Sequence, residues 1–285
     1  MKALIDADIV AFSCGFAADD IYYMLGKRKF RYKSKANAWC DRHGYDRDTI
    51  IKHHEPGDLV STLDGVDGLL GDILEATDAN EAQLFLTGKK NFRYDIASSH
   101  EYKGNRKDVA RPHLLPEIRD HLINHWEAEV VHGSEADDAL GIAQSAAMKE
   151  ANRDTVICSI DKDLLMIPGL HYNWNKKEWT EIDEYQGWYN FYKQMLTGDK
   201  TDNIVGVPGV GDKTAAKLLN GLGPVGMMRK VQEQYEKHFE LPELRMLENA
   251  NLLWIRREPE QPWSFAIHDE AEEIGEEEVA ESPDE

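Results

Sequence analysis

An α/β fold is what this chain of 285 residues predicts. It would be a mostly parallel sheet with flanking helices, followed by a smaller helical unit. Three observations predict it: short β-branched apolar runs alternate with amphipathic stretches, strands give way near residue 195 to Gly-rich turns and helices, and aspartates gather where apolar runs end. In chain order, residues 2–11 (KALIDADIVA) read as the first strand, apolar apart from Asp6 and Asp8. Residues 21–33 read as a hairpin turning at Gly26, with aromatic and cationic residues alternating at strand period. Leu59, Leu63, Val66, Leu70, Ile73 and Leu74 recur at helical spacing over 57–77. A short strand at 83–86, a helix at 114–126, a strand at 128–131 and a long helix after Ser134 follow. Residues 155–160 (TVICSI) form another buried strand. Beyond 195 come the turn GVPGVG, a helix at 212–220 and two further helical stretches ending near Arg257.

Composition narrows the function classes. Hydrophobic residues make up 41% and charged residues 30%, which excludes a wholly disordered chain. Mean hydropathy is −0.58 and no apolar run approaches the roughly 18 residues of a membrane span, so no membrane partner is expected. Carboxylates interrupt the N-terminal stretch where a signal peptide needs an apolar core. Cys14, Cys40 and Cys158 match neither a disulfide framework nor a zinc pattern, which points to a reducing cytoplasm. The net charge of −20 argues against a polyanion partner. Half of that charge lies in residues 269–285, which hold ten acids and read as a disordered tail. Two stretches are basic: 27–35 carries six cations and no acid, and 89–111 carries seven cations against three acids. Screening over about 8–10 Å lets such stripes engage a polyanion in an otherwise acidic protein.

The aspartates carry the chemistry. Asp161 and Asp163 follow the 155–160 strand; Glu135, Asp137 and Asp138 open the helix after the 128–131 strand. Both places are where an open parallel sheet binds ligands. With Asp6, Asp8, Asp199 and Asp202 they make nine carboxylates in four clusters. Converging in one cleft, they could not all stay ionised without divalent cations. Carboxylate oxygens suit Mg²⁺ or Mn²⁺, and a pair of such ions suits phosphodiester hydrolysis. Each cluster also has a plainer account: Ser134–Asp137 fits a capping box, Asp161 and Asp163 could cap a helix, and Asp8 could be a strand-edge acid. Asp6 inside a buried strand demands a partner or a metal.

The 206–214 stretch, GVPGVGDKT, misses a Walker A loop by one residue, because Asp212 stands where its lysine would be. Its glycines suit a tight turn whose N–H groups face a phosphate at a helix start, or an ordinary interhelical turn. His121 and His125 share a helix face that could hold a metal, although HLINH lacks the glutamate of a zinc protease and a solvated face is the simpler account. Trp174, Trp179, Trp188, Tyr189 and Tyr192 could stack on bases, but core packing is the better account.

The run 198–217, GDKTDNIVGVPGVGDKTAAK, closely resembles the helix–three-turn–helix signature of the 5′-nucleases, the 5′–3′ exonucleases and flap endonucleases of phages, bacteria and eukaryotes. Asp6, then EYKGNR (101–106), EADD (135–138) and SIDKD (159–163) fall in that family's order. The resemblance covers about residues 1–257, and the compact length is similar to the stand-alone bacteriophage members. It implies a PIN-like 5′-nuclease α/β domain over 1–195 with a helical arch at about 92–126. A helix–three-turn–helix DNA-binding domain would occupy 196–265, with the acidic tail from 266 to 285. It implies Asp6, Glu135, Asp137 and Asp138 around one metal, and Asp161, Asp163, Asp199 and Asp202 around a second. Lys103 and Arg106 match arch residues at the scissile phosphate, and Arg93 resembles another phosphate contact. Gly206, Gly209 and Gly211, with Lys213 and Lys217, match the element that grips duplex backbone, where relatives also bind a monovalent cation such as K⁺. The implied protein is an Mg²⁺- or Mn²⁺-dependent exonuclease or flap endonuclease for duplex, flapped or RNA–DNA substrates in phage or bacterial replication. A DNA-binding homologue with reduced catalysis is the alternative, because Thr87 and Gly88 stand where the family usually has another aspartate. A PIN-class ribonuclease is a third reading, against which the 198–217 run counts.

Overall fold

The structure, a computed structural model, describes residues 1–107, 109–150 and 154–268; the expected acidic tail lies almost wholly outside them. β1 (Lys2–Asp6) leads directly into α1 (Ala7–Ala18). The expectation of a strand running to residue 11 is therefore corrected. The Asp6 side chain accepts the Ile9 N–H and caps a helix, so the chain turns at Asp6 and Val10 is buried from a helix. The 21–33 hairpin is β2 (Asp20–Leu25) and β3 (Arg28–Phe30). After α2 (Lys33–His43), β4 (Ile51–Glu55) joins β2 to complete a small antiparallel sheet.

The chain continues through α3 (Leu59–Thr77), β5 (Glu81–Thr87), α4 (Arg93–Ile96), α5 (Leu115–His125), β6 (Glu129–Val131), α6 (Ala136–Lys149) and β7 (Thr155–Cys158). β8 (Gly169–Asn173) and β9 (Glu178–Ile182) complete the main sheet, whose order is β6-β5-β1-β7-β8-β9. All its pairings are parallel except β8 with β9. In the stretch expected to form a helical arch, only α4, a 3-10 turn at Gly104–Arg106 and α5 are helical among the described residues.

α7 (Glu184–Thr197) enters the last third. The two-residue strands β10 (Gly198–Asp199) and β11 (Ile204–Val205) pair antiparallel and precede α8 (Asp212–Leu219), α9 (Pro224–His238) and α10 (Pro242–Leu253). Alternation along β1 divides the core. Ala3 and Ile5 pack with α1, α3 and α5 on one face of the sheet. Leu4 faces the other way, into a buried cluster that runs through Leu140 of α6 to Phe191, Tyr235, Met246 and Trp254. The C-terminal helices thus rest on the same sheet that carries the aspartates, and the carboxyl ends of β1, β5, β6 and β7 open toward one edge of both layers.

Candidate metal centre

Strand ends deliver the acids. Asp6 ends β1, Asp8 lies in the first turn of α1, Glu135 caps α6 with Asp137 in its first turn, and Asp161 and Asp163 follow β7. Asp199 and Asp202 come from β10 and the turn after it. All eight line one cleft of about 900 Å³, together with Lys103, Arg106, Arg119 and Lys162. Local hydrogen bonds set their positions: Ser159 Oγ donates to Asp6 at 2.8 Å, the Asp161 N–H to Ser159 Oγ at 3.0 Å and the Asp163 N–H to Asp161 at 2.9 Å. The Thr201 N–H donates to Asp199 at 2.6 Å.

The electrostatics are those of crowded anions. Burial pushes the Asp6 carboxyl up to about 7, against hydrogen bonds from Ile9 and Ser159. Burial, then Asp161 and Asp199, push Asp163 up to about 8. Burial with the Asp6, Asp161 and Glu135 carboxylates raises Asp137 well above the usual carboxylate range. Asp199 is also desolvated, but its bonds from Asp163, Thr201 and Asp202 win and its pKa is lowered. A proton on Asp163 is therefore shared with Asp199. Hard oxygen donors that stay ionised at neutral pH only with added positive charge fit divalent cations.

Cations border the acids. Lys103 Nζ lies 2.5 Å from Glu135 and 3.6 Å from Asp202, and Arg106 pairs with Asp202. Tyr102, which sequence reasoning passed over, donates to Asp202 at 2.8 Å and lies 3.1 Å from Glu135. Asn91 also donates to Glu135, at 2.7 Å. Burial and the adjacent Glu135 both raise the Tyr102 hydroxyl, so it stays a donor. Asp8 is held by Arg119 of α5 at 2.7 Å and by the Thr87 N–H at 2.8 Å. An acid thus sits beside the stretch where Thr87 and Gly88 replace the expected aspartate. Gly88 itself has no room for a side chain: a Cβ there would lie 2.5 Å from His132 Nδ1 and 2.6 Å from the Val131 carbonyl oxygen. Arg119 carried no local motif, and its role follows only from the packing of α5 on α1.

Two expected residues are elsewhere. Arg93 is 2% exposed, does not line the cleft, and donates to Asp138 at 2.6 and 2.9 Å and to the Leu252 and Trp254 carbonyls. Asp138 is fully buried and also accepts the Glu135 and Arg256 N–H groups, so its oxygens are spent on protein donors. Arg93 and Asp138, expected as a phosphate contact and a metal ligand, here bond to each other outside the lining of the cleft. They form a buried ion pair that ties α6 to the segment after α10.

The glycine turn has the geometry its residues require. A Cβ on Gly206 would lie 2.3 Å from the Gly198 nitrogen, and Gly209 has φ +77°, a region glycine favours. Gly211 starts α8, on which Lys213 and Lys217 are exposed. The aromatics expected to pack in the core divide: Tyr192 and Trp174 are buried, Trp188 packs on Trp254 at 5.2 Å, and Trp179 is exposed against Tyr172. Among the described residues, two Asp/His groups outside the cleft could each hold a metal ion: Asp19, His54 and His113, and Asp67, His121 and His125. His121 is thus engaged by Asp67 at 2.7 Å rather than standing on a solvated face.

No family model matches the chain. DNA polymerase I of Bacillus caldotenax is 33% identical over 195 residues, 61% of this chain and 22% of that protein. The exonuclease of Escherichia phage T7 is 33% identical over 141 residues, 48% of this chain and 46% of the phage protein. The chain therefore spans less than half the length of these relatives. Among solved structures, a T5 5′-exonuclease with bound zinc superposes with a TM-score of 0.57 over 89% of each chain at 15% identity. A T5 D15 flap endonuclease complex with DNA and metal ions superposes with a TM-score of 0.55 over 89% of this chain and 88% of that one, also at 15% identity. The fold is that of the 5′-nucleases. Among the described residues no helix is long and apolar enough to cross a membrane.

Proposed function

We propose that this chain is a divalent-metal-dependent 5′-nuclease that hydrolyses DNA phosphodiesters at or near a 5′ end, acting on duplex, flapped or RNA–DNA primer substrates. The observation that carries the reading is one cleft in which Asp6, Asp137, Asp161 and Asp163 converge while three of the four are pushed toward protonation. Asp6, Glu135 and Asp137 are assigned to one Mg²⁺ or Mn²⁺, with Asp8 nearby, and Asp161, Asp163, Asp199 and Asp202 to a second. When bound, such ions supply Lewis-acid activation of a water and stabilise charge on the leaving oxygen.

The chain's own groups do the positioning. Lys103 and Arg106 hold a phosphate at the mouth of the acid cluster and offset the charge that grows on it. In the absence of substrate they pair with Glu135 and Asp202, which limits repulsion among the acids. Tyr102 and Asn91 fix the Glu135 carboxylate, and Ser159 fixes Asp6. Gly206, Gly209 and Gly211 with Lys213 and Lys217 grip the duplex backbone without reading sequence, with K⁺ as the monovalent ion of the turn. The work belongs to DNA replication and processing in a bacterial cytoplasm, including that of a phage-infected cell.

The test is a 5′-flapped duplex labelled at either end, incubated with Mg²⁺ or with EDTA, beside Asp161→Ala. Cleavage that requires metal and is lost in the variant is expected, and product lengths separate stepwise trimming from flap incision. Binding without cleavage in both Mg²⁺ and Mn²⁺ would overturn the nuclease reading and leave a DNA-binding homologue.

A further inference from the structure

The small antiparallel sheet meets the body of the protein at a group of side chains that the nuclease reading does not use. Asp19 caps the C-terminus of α1, His54 lies on β4, and His113 lies just before α5. They are 35 and 94 residues from Asp19 in sequence, yet their ligand atoms all lie within 4.8 Å of one another. The Asp19 side chain is fully buried. Its Oδ2 is bonded to His54 Nε2 and accepts the His113 backbone N–H at 3.2 Å. Its Oδ1 has no hydrogen-bond partner, although His113 Nδ1 is 3.5 Å away. A buried carboxylate oxygen without a donor is destabilising, so this one points to a missing partner.

We propose that Asp19, His54 and His113 form a zinc site, separate from the carboxylate cleft and independent of whether the chain is a nuclease. Two imidazoles and one carboxylate are a borderline donor set that favours Zn²⁺ over Mg²⁺. Tetrahedral bonds of about 2.0–2.1 Å space the ligand atoms by roughly 3.3 Å, which the 3.5 Å His113–Asp19 separation already meets. His54 and Asp19 are closer than that and part slightly to admit the ion. The His113 side chain is 40% exposed, which provides the entry path and leaves a fourth position for water.

The second Asp/His group lacks this feature. Asp67 Oδ1 already accepts from both His121 and Trp126 at 2.7 Å, so no donor is missing there. The consequence of the first site is mechanical. It cross-links α1, the small sheet and the 111–115 segment, whose Arg111 and Leu115 border the cleft. Tight packing marks the same junction: a Cβ on Gly15 would sit 2.5 Å from Pro112, and one on Gly57 would sit 2.4 Å from the Ala18 carbonyl oxygen.

The experiment uses full-length, metal-stripped protein in excess Mg²⁺, which occupies the carboxylates and is a poor ligand for imidazole. Zinc is then titrated and bound metal counted, and Co²⁺ is substituted to read its visible absorption. Wild type is expected to hold one more zinc per chain than His113→Ala or His54→Gln. Its Co²⁺ spectrum should show the intense bands of four-coordinate cobalt, and zinc should raise its melting temperature by several degrees. His113 is exposed enough that its variant keeps the native circular dichroism, and His125→Ala serves as a control that keeps the zinc. Failure of wild type to bind zinc under Mg²⁺, or equal zinc in wild type and both histidine variants, would overturn the proposal. Loss of nuclease activity would bear only on the carboxylate cleft, because this readout is metal content.

Discussion

Asp137 and Asp138 are neighbours in the first turn of one helix, yet they live in opposite electrostatic worlds. Asp138 faces Arg93, and although both are desolvated, the pairing lowers the acid and raises the base. Every oxygen is matched to a donor, and the pair closes the seam between α6 and the chain after α10. Asp137 is raised by burial and by the Asp6, Asp161 and Glu135 carboxylates that it faces. One helix N-terminus thus holds a finished ion pair on one side and an anionic excess on the other. The difference teaches that the residue type does not assign the role. What matters is whether the protein itself supplies the positive charge.

The largest effects should separate these two sides. Asp137→Asn is expected to reduce cleavage by about a thousandfold or more while leaving the fold intact, because it removes an acid whose charge only a cation offsets. Arg93→Met should do the reverse. It strands Asp138 without its partner and should cost about 3–5 kcal/mol in urea unfolding, with loss of activity following loss of fold. Gly88→Ala forces a methyl group against His132 and Val131 and should cost about 1–3 kcal/mol by the same measurement.

Acidity sharpens the comparison. Asp6 and Asp163 have folded pKa values of about 7 and about 8, above the 3.8 of an ordinary aspartate. Between those limits the folded state binds more protons than the unfolded state, so metal-free stability is greatest below about pH 4 for these groups and falls as pH rises through 7 to 8. The melting temperature of EDTA-treated protein should therefore drop between pH 6 and pH 8.5, roughly, and Mg²⁺ should restore it. A flat profile would mean that burial and crowding do not raise these acids. Lys103→Ala should lower turnover by about a hundredfold with little change in DNA binding. Lys217→Ala should have the smallest effect, reducing the salt slope of duplex binding by about 0.9.

Much of this was legible in the sequence, for physical reasons that also mark where legibility stops. The alternation of apolar strands and amphipathic helices follows from local periodicity, and 57–77 and 155–160 fold as that pattern predicts, as α3 and β7. The clustering of Asp137, Asp161 and Asp163 follows from their places at strand ends; Asp6 reads as lying inside the first strand and joins them because β1 stops at it. The first strand was overextended because Ile9, Val10 and Ala11 are as apolar as a buried strand; only the capping bond from Asp6 to the Ile9 N–H decides for helix. β4 carries little sequence signal, because IKHHE has little apolar content and is held by pairing with β2. The partners of Arg93, which are Asp138, Leu252 and Trp254, are 45 to 161 residues away and leave no local signal of the ion pair. The Asp19–His54–His113 junction and Arg119 are likewise products of long-range packing, which leaves no spacing signal.

The most direct test sets Asp137→Asn and Asp138→Asn side by side, reading unfolding free energy and Mg²⁺-dependent cleavage of a 5′-flapped duplex for each. The account predicts that Asp137→Asn folds as well as wild type and does not cleave, while Asp138→Asn is markedly less stable. Wild-type cleavage by Asp137→Asn, or equal stability of the two variants, would contradict it.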